Sequence, residues 1–192
     1  MTGRTHDLAA LTALGAVVMV VPQHPVTLGT VLVALVANQL GGIAPDIDEP
    51  TAPLWRNLPV GTFFGKIIGK MLGGHRFLTH SIVGAALFGW LLHVLLGLLG
   101  PIMHTVDPHL VWWAFMIGLI SHLIMDTFTK EGVPWLLPIP IKFGLPPVRA
   151  WRVTTGQGVE SFIIFPGLAL IDIWWGVAHY DRLAAWLHLI VK

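Results

Sequence analysis

His122 and Asp126 stand four residues apart in Ser-His-Leu-Ile-Met-Asp-Thr. On a helix that spacing is one turn, so both side chains project from one face and can hold one cation, or act as a ligand and the partner that orients it. Asp46 and Asp48 flank Ile47 in Gly-Gly-Ile-Ala-Pro-Asp-Ile-Asp. In extended geometry two such carboxylates face the same way and can bridge cations; as ordinary loop residues they would only shape a turn. His75 and His80 lie five apart around Arg76, after Gly73-Gly74, whose backbone is free to turn. Arg76 suits a phosphate oxygen, and Thr79 or Ser81 suits a helix N-cap. His6 opens one apolar segment and Glu160 opens another. Alone, the first would be an interfacial histidine and the second an acid favoured by a helix dipole.

The chain has no cysteine, so disulfides and thiolate ligands are excluded and any metal is held by His, Asp, Glu, carbonyls or water. His-Glu-x-x-His and Gly-x-Ser-x-Gly are both absent, which argues against a zinc protease of that type and a serine nucleophile. The spacing of His122 and Asp126 matches the last motif of lipid phosphate phosphatases, but the arginine those enzymes place six residues before the histidine is Met116 here.

These residues must be positioned by membrane helices. Of 192 residues, 55% are hydrophobic and 11% charged, and the net charge is +1; a soluble domain carries far more charge, and nothing favours nucleic acid. Spans need about 18 to 20 apolar residues. The short Leu8–Val21, then Val26–Ala44, Ser81–Leu99, Leu110–Phe128 and Ser161–Ala178 qualify. Arg4 followed by an apolar run has the outline of a signal peptide, but Val20-Val21-Pro22-Gln23 is a poor cleavage site, so the first segment reads as a retained helix. Leu183–Val191 is too short to span and suits the interface.

Lysine and arginine set the orientation. Arg4, Arg56, Lys66, Lys70, Arg76, Lys130, Lys142, Arg149 and Arg152 fall on one side, and only Arg182 and Lys192 on the other. The N-terminus is therefore expected to be cytoplasmic. On that side Val60–Leu72 has an amphipathic pattern, and Gly132–Pro147, with five prolines, reads as a lid or re-entrant segment. The expected fold is all-α: one integral membrane domain over residues 1–192, a polytopic bundle of four to five spans with amphipathic and re-entrant segments on the cytoplasmic side. It brings His6, Asp46, Asp48, His75, His80, His122, Asp126 and Glu160 to one set of helix ends. His24, His104, Asp107, His109, His179 and His188 fall at the opposite side and read as surface residues, and Trp112-Trp113 and Trp174-Trp175 fit an aromatic belt there. His93 and Asp172 lie within spans.

At these residues the sequence resembles the YdjM family of LexA-regulated, inner-membrane, metal-dependent hydrolases. The likeness is carried by Thr5-His6, by Gly41-Gly42-Ile43-Ala44-Pro45-Asp46-Ile47-Asp48, and by His75-Arg76 with Thr79-His80-Ser81. Ser121-His122 with Asp126, Gly132-Val133-Pro134, and Thr155-Gly156 followed by Glu160 complete it. The resemblance implies an inner (plasma) membrane protein distantly similar to zinc-dependent phospholipases C, which hydrolyse phosphoesters with clustered zinc ions.

The leading expectation is a metal-dependent hydrolase. One to three divalent ions, zinc or else manganese or magnesium, would be held by a subset of those eight residues. Asp48 or Glu160 would serve as general base, and Arg76 would neutralise developing charge. A site at the cytoplasmic leaflet implies a lipid or amphiphilic substrate. The competing classes are a metal-ion or small-solute transporter, which requires polar residues distributed through the membrane depth, and a non-catalytic membrane protein with a structural metal.

Overall fold

The computed structural model describes residues 1–21, 25–139 and 141–190. Its helices are α1 (Gly3–Val20), α2 (Leu28–Ile43), α3 (Pro53–Arg56), α4 (Gly61–Met71), α5 (Ile82–Leu99), α6 (Pro108–Thr127), α7 (Phe165–Ala178) and α8 (Tyr180–Ile190). A tight helical turn, Ala44–Asp48, extends α2, and a π-helical turn, Glu160–Ile164, leads into α7. Among the described residues four helical stretches are long and apolar enough to cross a membrane: Leu28–Asp48, Ile82–Leu99, Pro108–Thr127 and Glu160–Ala178. A 20-residue helix covers roughly 30 Å, the thickness of the hydrocarbon core. The chain is a membrane helical bundle, as the length of its apolar segments predicts.

α6 is the axis of the bundle. It packs along α2, α1 and α5, while α7 lies on the outer side of α1. Val111, Phe115, Leu119 and Leu123 of α6, with Ala37 of α2 and Leu96 of α5, form the core. Two glycines set the close approach of α2 to α6. A Cβ at Gly41 would collide with the Phe115 carbonyl, and one at Gly118 with the Asn38 carbonyl. The buried Asn38 ties the pair further, its Nδ2 donating to the Ala114 carbonyl at 3.0 Å. Small residues that let backbones meet are the usual means of helix association in lipid, where no hydrophobic force drives helices together.

α1 spans 18 residues but carries Arg4, His6 and Asp7 in its first turns. Its far end is held by Arg182 of α8, which donates to the Met19 carbonyl and, at 3.1 Å, to the Val21 carbonyl, satisfying carbonyls a helix end leaves open. Asp172 also has a partner on α1, with the Thr12 hydroxyl at 3.0 Å from its Oδ2. α8, at 11 residues, is too short to span.

α4 is amphipathic in an unusual sense. Its inward face is glycine: Gly61, Gly65 and Gly69 are buried, and side chains there would strike the Trp55 carbonyl, the Trp55 ring and the Asp48 carbonyl. Phe63, Phe64, Ile67 and Met71 face outward, as a helix lying on a bilayer requires. The segment after α6 folds back over it. Val133 is fully buried and exchanges hydrogen bonds with Phe143 at 2.8 and 2.9 Å, while Trp135 Nε1 donates to Thr127 Oγ1 at 2.9 Å. Leu136, Ile139 and Ile141 remain exposed on its outside. Among the residues expected at the opposite side, Asp107 caps α6 by accepting from the His109 and Leu110 amides at 2.8 and 3.3 Å. His104, Asp107 and His109 are exposed. His24 and the side chain of His188 lie outside the described residues.

Gly118→Ala should lower the unfolding midpoint of the detergent-solubilised protein, at a cost of about 1–3 kcal/mol from overpacking. Gly97→Ala on α5, where an added Cβ meets nothing within 4 Å, should leave the midpoint unchanged or raise it. Fluorescence-detected thermal unfolding of the two variants beside wild type checks both.

Candidate metal centre

The helix ends on the α1 N-terminal side converge on one buried cluster. Two ligand groups can be drawn within it, His6, His122 and Asp126, and Asp46, His75 and His80; in each, one atom per residue lies within 4.8 Å of the others. The groups adjoin. His122 Nε2 lies 3.5 Å from Asp46 Oδ1 and 3.8 Å from Asp126 Oδ2, and His80 Nε2 lies 3.7 Å and 3.6 Å from the same two oxygens. The rings of His6 and His122 stack with centroids 3.6 Å apart.

Each of three histidines has its Nδ1 used by the framework. His122 Nδ1 is 2.6 Å from the Gly42 carbonyl, which can only accept, so this nitrogen carries the proton. His75 Nδ1 faces Asp48 Oδ1 at 2.9 Å. His80 Nδ1 is 3.0 Å from Thr79 Oγ1, whose hydroxyl donates to Asp48 Oδ2 and therefore accepts from the ring. Protonation at Nδ1 leaves Nε2 as a bare lone pair, the form in which histidine ligates a metal. His80 Nε2, His122 Nε2 and both nitrogens of His6 are buried without a hydrogen-bond partner, and Asp126 Oδ2 has only its ion pair with Arg76. Burial opposes a charge on His80, but Asp126, Asp48 and Asp46 outweigh it and push its pKa up, an attraction for positive charge that a cation at Nε2 would satisfy in place of a proton.

Orphaned buried atoms are costly unless something joins them. A tetrahedral ion with ligands at about 2.1 Å holds them roughly 3.4 Å from one another, and the 3.5 to 3.8 Å separations here are close to that. The donor set of imidazole nitrogens and carboxylate oxygens fits zinc and accommodates manganese.

Asp48 and Glu160 are placed differently. Asp48 is buried and accepts from His75 Nδ1, from the Arg76 amide at 3.1 Å and from Thr79. From the turn after α2 it orients His75 directly and His80 through Thr79. Glu160 is outside both ligand groups. Its carboxylate accepts from the Thr2 amide at 2.6 Å, the Thr2 and Thr5 hydroxyls at 2.7 Å and the Gly156 amide at 2.7 Å. It pins the start of α1 and so the depth of His6. Arg76, at φ 58° in the left-handed region, turns a buried guanidinium inward. It pairs with Asp126 Oδ2 at 2.6 Å and Glu131 at 3.2 Å, and donates to Thr129 Oγ1 at 2.7 Å. The Met1 amine contacts Asp126 Oδ1. Ser81 caps α5 by accepting from the Gly84 amide at 3.0 Å, whereas Thr79 serves the cluster.

Asp7 belongs to no motif of the sequence. It lines, with His6 and Asp46, a cavity of about 750 Å³ beside the cluster, and no hydrogen bond to its carboxylate occurs among the described residues. The signal was its position one residue after His6, on the same turn of α1.

Fold and cluster together define a polytopic helical membrane protein with a buried histidine and aspartate centre at one end of its bundle. The chain belongs to the YdjM inner membrane protein family, whose profile it matches over residues 1–191. It is 27% identical to YvsG of Bacillus subtilis (strain 168) over 175 residues, covering 91% of this chain and 94% of that one. It is 30% identical to the inner membrane protein YdjM of Escherichia coli (strain K12) over 132 residues, covering 69% of this chain and 61% of that one. No solved structure matches the chain.

Asp48→Asn and Thr79→Val should each weaken divalent-metal affinity about 10- to 100-fold, because they release the histidine tautomers rather than remove ligands. Equilibrium dialysis against Zn²⁺ would check this, with wild-type stoichiometry recovered at saturation.

Proposed function

We propose that this protein is a metal-dependent hydrolase of the inner membrane, N-terminus cytoplasmic, acting on a phosphoester in a lipid-like substrate. The observation that carries the reading is the convergence of buried, unpartnered ligand atoms whose histidines are already held in the metal-binding tautomer. His80, His122, Asp46 and Asp126, at their 3.5 to 3.8 Å separations, would hold one ion, and His6 and His75 would extend the set toward a second. Zinc is the best fit. Bound there, such ions supply Lewis acidity and lower the pKa of water enough for attack at neutral pH.

The chain's own residues account for the rest. Asp46, 21% exposed, and His75, 30% exposed, leave the cluster open on one side, as a catalytic centre requires and a closed structural site does not. Arg76, buried with its guanidinium on Asp126, Glu131 and Thr129, holds Asp126 in place and acts by positioning. Asp48 and Glu160, with their oxygens engaged, act by positioning. Asp7 is better placed to take the proton. As water adds to phosphorus its proton passes to Asp7, the phosphorus to oxygen ester bond breaks, and the leaving oxygen is protonated from solvent.

Elemental analysis of the detergent-purified protein should find stoichiometric zinc or manganese in wild type and in Asp7→Asn, and a loss in His122→Ala and Asp126→Ala. Turnover of a phosphoester lipid should fall about 10²- to 10⁴-fold in Asp7→Asn, the usual weight of a general base. A wild-type protein that holds no metal after purification without chelators and after adding divalent ions would overturn the reading.

A further inference from the structure

We infer that the cavity between α1 and α2 is a lateral groove that takes one apolar chain of a membrane lipid and presents the lipid's head to the metal centre. The inference rests on the proposed hydrolase only for what then happens to the head.

The two walls are helical stripes. Gly3, His6, Asp7 and Leu11 lie three or four residues apart on one face of α1, and Leu35, Val36, Gln39, Leu40 and Ile43 form the facing stripe of α2. The helices are antiparallel, so polarity is sorted along the groove. His6 and Asp7 meet Asp46 at one end, and Leu11 meets Leu35 and Val36 at the other. The stripe from Leu35 to Ile43 is ~12 Å long at 1.5 Å per residue. The cavity is about 750 Å³, within the roughly 300–1,000 Å³ of ordinary ligand sites. Gln39 Nε2 donates to the Asp7 carbonyl at 3.3 Å, tying the walls together where the polar and apolar halves join.

The apolar half is open to lipid. Leu11, Leu35, Val36 and Leu40 are all exposed, on a helix that spans the membrane and its neighbour. Ala52, Leu54 and Leu58 close over the polar end. Among the described cavities this one alone touches a member of each ligand group, His6 of the first and Asp46 of the second. A water-soluble substrate has no use for an apolar, bilayer-facing approach ending at metal ligands. An amphiphile uses both halves: chain between the helices, phosphate at the cluster.

The test uses full-length protein in phosphatidylcholine nanodiscs with a phosphatidic acid bearing a diazirine at the midpoint of one acyl chain. Crosslinks mapped by peptide mass spectrometry should favour Leu11, Leu35 and Val36 over Leu91 and Leu95, exposed on α5, by about fivefold, a preference near 1 kcal/mol. Leu35→Trp and Val36→Trp alter exposed positions and should fold normally by size exclusion. Each should abolish the groove crosslinks and leave those on α5 unchanged. Equal labelling of groove and α5, or labelling that survives both tryptophans, would overturn the inference. So would a bis-maleimide-linked homodimer through Val36→Cys, the sole cysteine in that variant, because a second copy would then occupy the groove. Metal content is read on the same samples. Bound metal without selective labelling removes the groove and leaves the hydrolase; selective labelling in a metal-free protein does the reverse.

Discussion

A carboxylate at the depth of Asp126 has no bulk water to solvate it, and a buried charge of this kind persists only when opposite charge and hydrogen bonds replace the lost hydration. Around Asp126 the replacement comes from three directions: the Met1 amine, His6 Nε2 at 3.2 Å and Arg76 Nη2 at 2.6 Å. Each demand constrains a different part of the chain. α1 must begin at this level, which Glu160 arranges by gathering Thr2 and Thr5. The loop before α5 must reverse so that Arg76 points inward, which it does through a left-handed residue whose amide is fixed by Asp48. The segment after α6 must return to supply Thr129 and Glu131.

Ligand orientation is built from the same framework. The Gly42 carbonyl selects the His122 tautomer, and it reaches His122 because Gly41 and Gly118 let α2 and α6 touch backbone to backbone. Asp48 selects the His75 and, through Thr79, the His80 tautomer, and Asp48 is backed by α4, which comes close only because Gly69 has no side chain. Backbone packing and ligand chemistry are therefore one problem in this bundle. Nδ1 of each of these rings belongs to the fold and Nε2 to the site.

The apolar spans were legible because a bilayer imposes length and composition on any helix that crosses it, and Val26–Ala44, Ser81–Leu99, Leu110–Phe128 and Ser161–Ala178 all fall on observed helices. The two ligand groups were legible as residue types at helix ends, since their depth follows from span boundaries. Division of labour was not. Asp46 and Asp48 are equivalent as an Asp-x-Asp pair, yet one is partly exposed beside the cavity and the other is buried under three donors, a difference created by the fold of residues 73–80 and invisible in local spacing. Glu160 and the two threonines illustrate the same point: their contacts span more than 150 residues. The glycine stripe of α4 was readable in principle as Gly-x-x-x-Gly-x-x-x-Gly, but it is masked by the aromatic and basic residues between.

The distribution of polarity through the membrane bears on which kind of membrane protein uses such a centre. A transport path needs ionisable groups or water at successive depths, each exchanging partners as cargo moves. Here the two deeper candidates do not line one path. Asp172 is held against the Thr12 hydroxyl at the junction of α1 and α7, and His93 is exposed on α5, which borders α6 on a different side of the bundle. Below the cluster, Leu119, Phe115 and Val111 of α6 are buried in the apolar core and offer an ion no ligand. What the cluster does have is an opening sideways, toward lipid, along α1 and α2. A centre bordered below by an apolar core and open sideways along α1 and α2 has the geometry that the proposed membrane-resident substrate would use.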